Sequence, residues 1–119
     1  MNTEPTDSAV TVAELRRLVA DFIRERDWEQ FHDPKNLSMA IATEAAELME
    51  HFRWAQNEAS REMMRDPEAR HAAAEELADI LAFTLSFANA ADIDLSSALH
   101  AKMLKNAKKY PADEYQGKY

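Results

Sequence analysis

LADILAFTLSFANAA, residues 77–91, holds a single charge, Asp79, in fifteen positions. A segment apolar nearly all round and this long reads as a buried helix, not as a surface element. Just before it stands Glu76, so that Glu76-Leu-Ala-Asp79 sets two carboxylates at spacing i, i+3 at the head of the apolar run. A second pair with the same spacing, Glu44-Ala-Ala-Glu47, lies upstream in another Ala- and Leu-rich stretch. At 100° per residue Glu44 falls about 20° from the direction of Leu37 and about 40° from Leu48, inside the arc that faces a core. No Lys or Arg stands four residues from any of the four acids. Buried carboxylates without cationic partners are expensive unless a metal holds them. ExxE is common on wet helix faces, where it means nothing. Two copies, both in apolar context, predict that Glu44, Glu47, Glu76 and Asp79 point inward and hold a hard cation, Mg²⁺ or Mn²⁺.

The chain has 119 residues, enough for one domain with its own core. A single glycine and four prolines leave few tight turns, and the abundance of Ala, Leu and Glu favours helices. No cysteine is present, which excludes disulfides and thiolate metal sites. The polar, acidic start is not a signal peptide, and no apolar stretch has the roughly 18–20 residues of a membrane span, so a cytoplasmic protein is expected. A net charge of −8 argues against a nucleic-acid partner. The charge is uneven: residues 1–99 carry 9 basic and 20 acidic side chains, and residues 100–119 carry 5 and 2. A basic terminal segment on an acidic body suits a local anion.

Residues 1–8 are expected to be disordered, 9–111 to form the domain and 112–119 a tail. Thr11-Val-Ala-Glu14 is a capping box opening a helix to about Phe31, and Asp33-Pro34 starts a second, to Trp54 or Glu58. Residues 56–66 read as a connector. Asp66-Pro67 opens a third helix to about Ala91, and Asp94 caps a fourth to about Lys109, stopped by Tyr110-Pro111. Without any strand signal, the expectation is an all-α four-helix bundle. Its third helix has too little polar surface for a monomer, which implies a homo-oligomer.

Several motifs have two readings. Trp28 and Trp54 serve as core or as a base-stacking platform, and His32 as a helix-end partner or a base contact. Lys102, Asn106 and Lys109 share one helix face, which suits dipole compensation or a triphosphate. A di-iron centre needs Glu-x-x-His on two helices, and only Glu68-Ala-Arg-His71 fits.

RDWEQFHDPKNL at 26–37, EAAELMEHFRW at 44–54, EELADIL at 75–81 and KMLKNAKKYP at 102–111 together resemble the all-α nucleotide pyrophosphohydrolases of the MazG-like superfamily, most of all their dCTP-hydrolysing branch. The resemblance implies a dimeric or tetrameric, Mg²⁺-dependent house-cleaning hydrolase. It would cut (deoxy)nucleoside triphosphates, dCTP or a modified dCTP among them, to monophosphate and pyrophosphate. It implies Glu44, Glu47, Glu76 and Asp79 as metal ligands, with Glu47 orienting the attacking water. Trp28, His32, Trp54 and Phe83 would form the base and sugar pocket. Lys102, Asn106 and Tyr110 would approach the phosphates from the same or a neighbouring subunit. Phe83 stands where dCTP-type relatives carry Tyr, and Val19 where eukaryotic relatives carry His. The rival class is a non-catalytic, metal-stabilised helical interaction or regulatory module.

Overall fold

Among the described residues there are six α-helices: α1 (Val12–Glu25), α2 (Pro34–Glu50), α3 (Asn57–Met63), α4 (Pro67–Ala91), α5 (Leu95–Lys109) and α6 (Ala112–Tyr115), with a 3₁₀ turn at Glu29–Phe31. The computed structural model describes residues 4–118. Strands are absent among these, as the composition requires. Of the lead expected to be disordered, residues 1–3 lie outside the described residues. Within the remainder the N–H groups of Ala9 and Val10 both donate to the Thr6 carbonyl, forming a turn into α1.

The caps explain most of the boundaries. Thr11 Oγ1 accepts the Glu14 N–H at 3.1 Å and donates to the Glu14 carboxylate at 3.3 Å, starting α1. Asp66 and Asp94 accept the third amide of α4 and α5, each at 2.9 Å. The amide of Ser97 holds the Asp94 carboxyl below its ordinary pKa, which keeps the cap ionised. α4 ends at Ala91 and α5 at Lys109, as predicted.

Three boundaries differ from the sequence reading. The first helix stops at Glu25, not near Phe31, because Asp27 adopts a left-handed conformation with φ 55°. The Trp28 N–H then donates to the Ile23 carbonyl and the Asp27 N–H to that of Arg24, a closure usually made with glycine. Asp tolerates that conformation better than most residues, but no glycine announces it. α2 stops at Glu50, so Trp54 lies in the turn beyond it. The polar connector contains α3, whose single apolar edge is too short to show a periodicity.

The packed centre is α2 against α4, with α1 laid on α4. Leu37, Ala73, Leu85 and Ala88 are its buried apolar residues. The small Ala residues let the helices approach closely. Arg16 ties α1 to the end of α4: its guanidinium donates to Asn89 Oδ1 (2.9 Å), the Ala88 carbonyl (3.1 Å) and the Ile93 carbonyl. Asn89 returns a bond to the Arg16 carbonyl at 3.1 Å. One of the two accepting carbonyls, Ala88, is in the last turn of α4 and the other, Ile93, just past it, at the helix end where a cation is favoured.

The four-helix bundle is not closed within one chain. α5 has no buried residue, and Leu99, Met103 and Leu104 on it are exposed, as are Leu77 and Leu81 of α4. The radius of gyration is 17.3 Å, whereas a compact chain of this length has about 13.5 Å. The accessible surface is 9978 Å², against about 6,600 Å² for a compact monomer of this size. No helix among the described residues is long and apolar enough to cross a membrane.

Arg16→Ala should destabilise the protein by about 2 kcal/mol, because it removes three hydrogen bonds that tie α1 to the end of α4 and the turn after it. Urea denaturation monitored by far-ultraviolet circular dichroism measures this, and a change below about 0.5 kcal/mol would remove the clamp from the account of the fold.

Candidate metal centre and adjoining cleft

Glu44 and Glu47 lie one turn apart on α2, and Glu76 reaches them from α4. One carboxylate oxygen from each of these three residues falls within a mutual spread of 4.8 Å. Glu44 and Glu76 are half-buried, and the Oε2 of each is enclosed without a hydrogen-bond partner. Glu47 is the exposed member at the rim. Burial raises the Glu44 carboxyl to about 7, helped by the hydrogen bond the protonated group shares with Glu47, by repulsion from Glu47 and Asp79, and by a hydrogen bond with Glu76. Such a cluster is stable at neutral pH with a proton or a cation shared among the oxygens. All-oxygen donors of this charge fit Mg²⁺ or Mn²⁺. His51, in the turn after α2, places Nε2 3.9 Å from Glu76.

Asp79 differs from the prediction. It is exposed and stands outside the group of three. It lines instead a neighbouring cleft of about 360 Å³, together with Val19, Phe22, Trp28, His32 and Phe83. Glu44 still feels its charge, so cluster and cleft adjoin.

The reversal at Asp27 builds the cleft. It folds Trp28 back on α1, where its ring meets Phe22 edge to face at 5.9 Å between centroids. The Arg26 guanidinium covers the same Phe22 ring at 3.7 Å. Trp28 and His32 flank the 3₁₀ turn and are not one turn apart on α1. With Phe83 from α4 they form an aromatic recess, of the size of small-molecule sites. Trp28, His32 and Phe83, the base pocket implied by the resemblance, thus line one cleft with Asp79, which is expected as a metal ligand.

Trp54 is not among them. The expected meeting of Trp28 and Trp54 at one end of the bundle does not occur within the chain. Trp54 is 84% exposed and is covered only by the Arg53 guanidinium at 4.6 Å from its ring. Lys102, Asn106 and Tyr110 sit on or just past α5 and do not line this cleft. Tyr110 packs edge to face on Tyr115 at 5.2 Å. The sequence reading missed Phe22 and Ser86. Phe22 had no signal, since only the chain reversal brings it to Trp28. Ser86 had one: it lies seven residues after Asp79, on the same stripe of α4.

The MazG-like family model matches residues 39–118. The dCTP pyrophosphatase 1 of Bos taurus is 41% identical over 110 residues, which are 92% of this chain and 65% of that protein. That of Homo sapiens is 41% identical over 102 residues, 86% of this chain and 60% of that protein. The chain thus spans a little under two thirds of the length of these curated relatives. Among solved structures, a pyrophosphatase from Archaeoglobus fulgidus DSM 4304 superposes with a TM-score of 0.78 at 31% identity, covering 93% of this chain and 98% of that one.

The raised Glu44 carboxyl makes the chelator-treated protein sensitive to pH. Folded Glu44 titrates at about 7 and unfolded Glu44 at 4.5, so the folded state holds the extra proton in between. Stability therefore falls as pH rises from 4.5 to about 7 and levels off above. Urea titrations of wild type and Glu44→Gln in EDTA across this range should diverge by about 3 kcal/mol, with the variant the more stable at pH 8. Parallel curves would show that Glu44 titrates normally.

Proposed function

This chain belongs to the MazG-like family, and we propose that it hydrolyses nucleoside triphosphates between the α and β phosphates, giving a monophosphate and pyrophosphate. The substrate favoured is dCTP or a dCTP modified on its base, a reading supported by the likeness to dCTP pyrophosphatase 1 over most of the chain. The observation that carries the proposal is the adjacency of two features. Three converging carboxylates, two with enclosed, unpartnered oxygens, adjoin an aromatic recess lined by Trp28, His32 and Phe83.

Glu44, Glu47 and Glu76 would hold the divalent cation, with Asp79 at the edge of the cleft facing the phosphates. Mg²⁺, with Mn²⁺ as substitute, supplies charge neutralisation for the triphosphate and acidifies water when bound. The residues do the rest. Glu44 and Glu76 are held by the α2–α4 packing, so the site is rigid before substrate arrives. Glu47, exposed at the rim, orients the water and accepts its proton. The water oxygen bonds to the α-phosphorus, the bond from that phosphorus to the bridging oxygen breaks, and pyrophosphate leaves with the electron pair. Trp28 offers a flat face for stacking, His32 a polar edge, and Phe83 packing for the sugar.

Trp54, Lys102, Asn106 and Tyr110 reach this site only from a second copy. A homodimer or homotetramer is supported by the exposed apolar residues of α4 and α5 and by the large surface of the single chain. α5 then brings the basic segment to the acidic body, where it would meet the β and γ phosphates.

Purified protein should release pyrophosphate from dCTP only with Mg²⁺ or Mn²⁺, scored together with the monophosphate product by ion-exchange chromatography. Glu76→Gln keeps the shape but removes a ligand charge, and should reduce kcat by about 100-fold or more. Release in EDTA, or a variant near wild type, would overturn the assignment. Sedimentation at micromolar concentration should give a dimer or tetramer, and a monomer retaining full turnover would show that α5 plays no part.

A further inference from the structure

Thr84 and Ser86, two residues apart on α4, satisfy their hydroxyls differently. Thr84 Oγ1 donates to the Ile80 carbonyl at 2.8 Å, the ordinary arrangement within a helix. Ser86 is 5% exposed, and its Oγ is enclosed with no hydrogen-bond partner. Natural structures seldom leave a buried hydroxyl unpaired, and where they do the group commonly awaits a ligand.

Its position says which ligand. Ser86 lines the aromatic cleft, and it also lines a second cleft of about 320 Å³ that contains Arg24, Glu29 and Asn89. With Ile23 and His32 it forms the partition between the two. Asp79, Phe83 and Ser86 follow at i, i+4 and i+7, one stripe of α4, so Ser86 stands about 10.5 Å along the axis from Asp79. That separation is the span from the phosphate end of a nucleotide to its base. Leu18, Val19, Phe22, Ala82 and Phe83 give the cleft apolar walls. Stacking on Trp28 would hold any base without distinguishing one from another.

Resting on the nucleotide reading above, we propose that Ser86 is a specificity-determining residue whose hydroxyl bonds the polar edge of the base. The hydroxyl is held at one point on α4, so it pairs only with a base that carries a polar group at that point. A base that leaves it unpaired in the closed cleft is rejected, which stacking cannot achieve.

The test is Ser86→Ala, which removes one oxygen and adds no bulk. Binding of the α,β-methylene analogues of dCTP, dTTP, dATP and dGTP is measured by calorimetry with Mg²⁺ for wild type and variant, beside turnover of the four natural nucleotides. Affinity for the preferred base should fall about tenfold, the equivalent of one hydrogen bond. The other bases should change less than about twofold, and the loss should appear in KM rather than kcat. Thermal stability should equal or exceed wild type, since no internal bond is lost. An unaltered ranking of bases overturns the proposal, as does a marked drop in Tm, which would show the hydroxyl bonded within the fold. Wild type that binds the analogues selectively but releases no pyrophosphate would refute the hydrolase reading while the Ser86 contact stands or falls on the binding ranking. Wild type that binds none of them, or all equally, refutes the contact.

Discussion

Repulsion among Glu44, Glu47 and Glu76 is the constraint around which the rest of the molecule is arranged. Two unit charges within 4.8 Å repel by about 3 kcal/mol at an effective dielectric of about 20. Burial is the largest cause of the displacement of the Glu44 carboxyl from 4.5 to about 7, and repulsion by Glu47 and Asp79 adds to it. A lone pair of helices would splay to relieve this. α2 and α4 cannot, because Leu37, Leu85 and the alanines Ala73 and Ala88 pack them together. The apolar contact thus holds the carboxylates in a geometry they would not choose, and a divalent cation converts the repulsion into attraction.

The remaining elements serve the edges of that centre. Arg16 anchors α1 to the end of α4, and the left-handed Asp27 turns the chain so that Trp28 covers Phe22 beside Asp79 and Phe83. Arg24 bridges Asp21 and Glu29 across the same reversal, at 3.0 and 3.7 Å. These exposed ion pairs contribute little energy.

α5 and Trp54 share one property: both present large apolar groups to solvent in the single chain. Monomeric proteins rarely leave so much apolar surface open, so this face has the character of an interface. The proposed active site and the proposed assembly are therefore one question. The aromatic recess and the carboxylates belong to one chain, whereas the basic groups suited to a triphosphate lie on the unpacked helix.

What the sequence by itself determined was local. Capping boxes, Asp-Pro starts and an almost uncharged fifteen-residue run fixed α4, α5, the start of α1 and the all-helical class, because each signal acts within one or two turns. The i, i+3 spacing put Glu44 and Glu47 on one side of α2, since helical periodicity is a property of the chain alone, and the packing of α2 on α4 brought Glu76 to them. The tertiary structure decided what depends on distance between elements. It set Asp79 at the cleft and outside the group of three, ended α1 at an Asp with no glycine to mark it, and brought Phe22 to Trp28. It also left Trp54 exposed. Whether a residue is buried depends on what packs over it, and Trp54 and the apolar residues Leu99, Met103 and Leu104 of α5 stay exposed in the single chain.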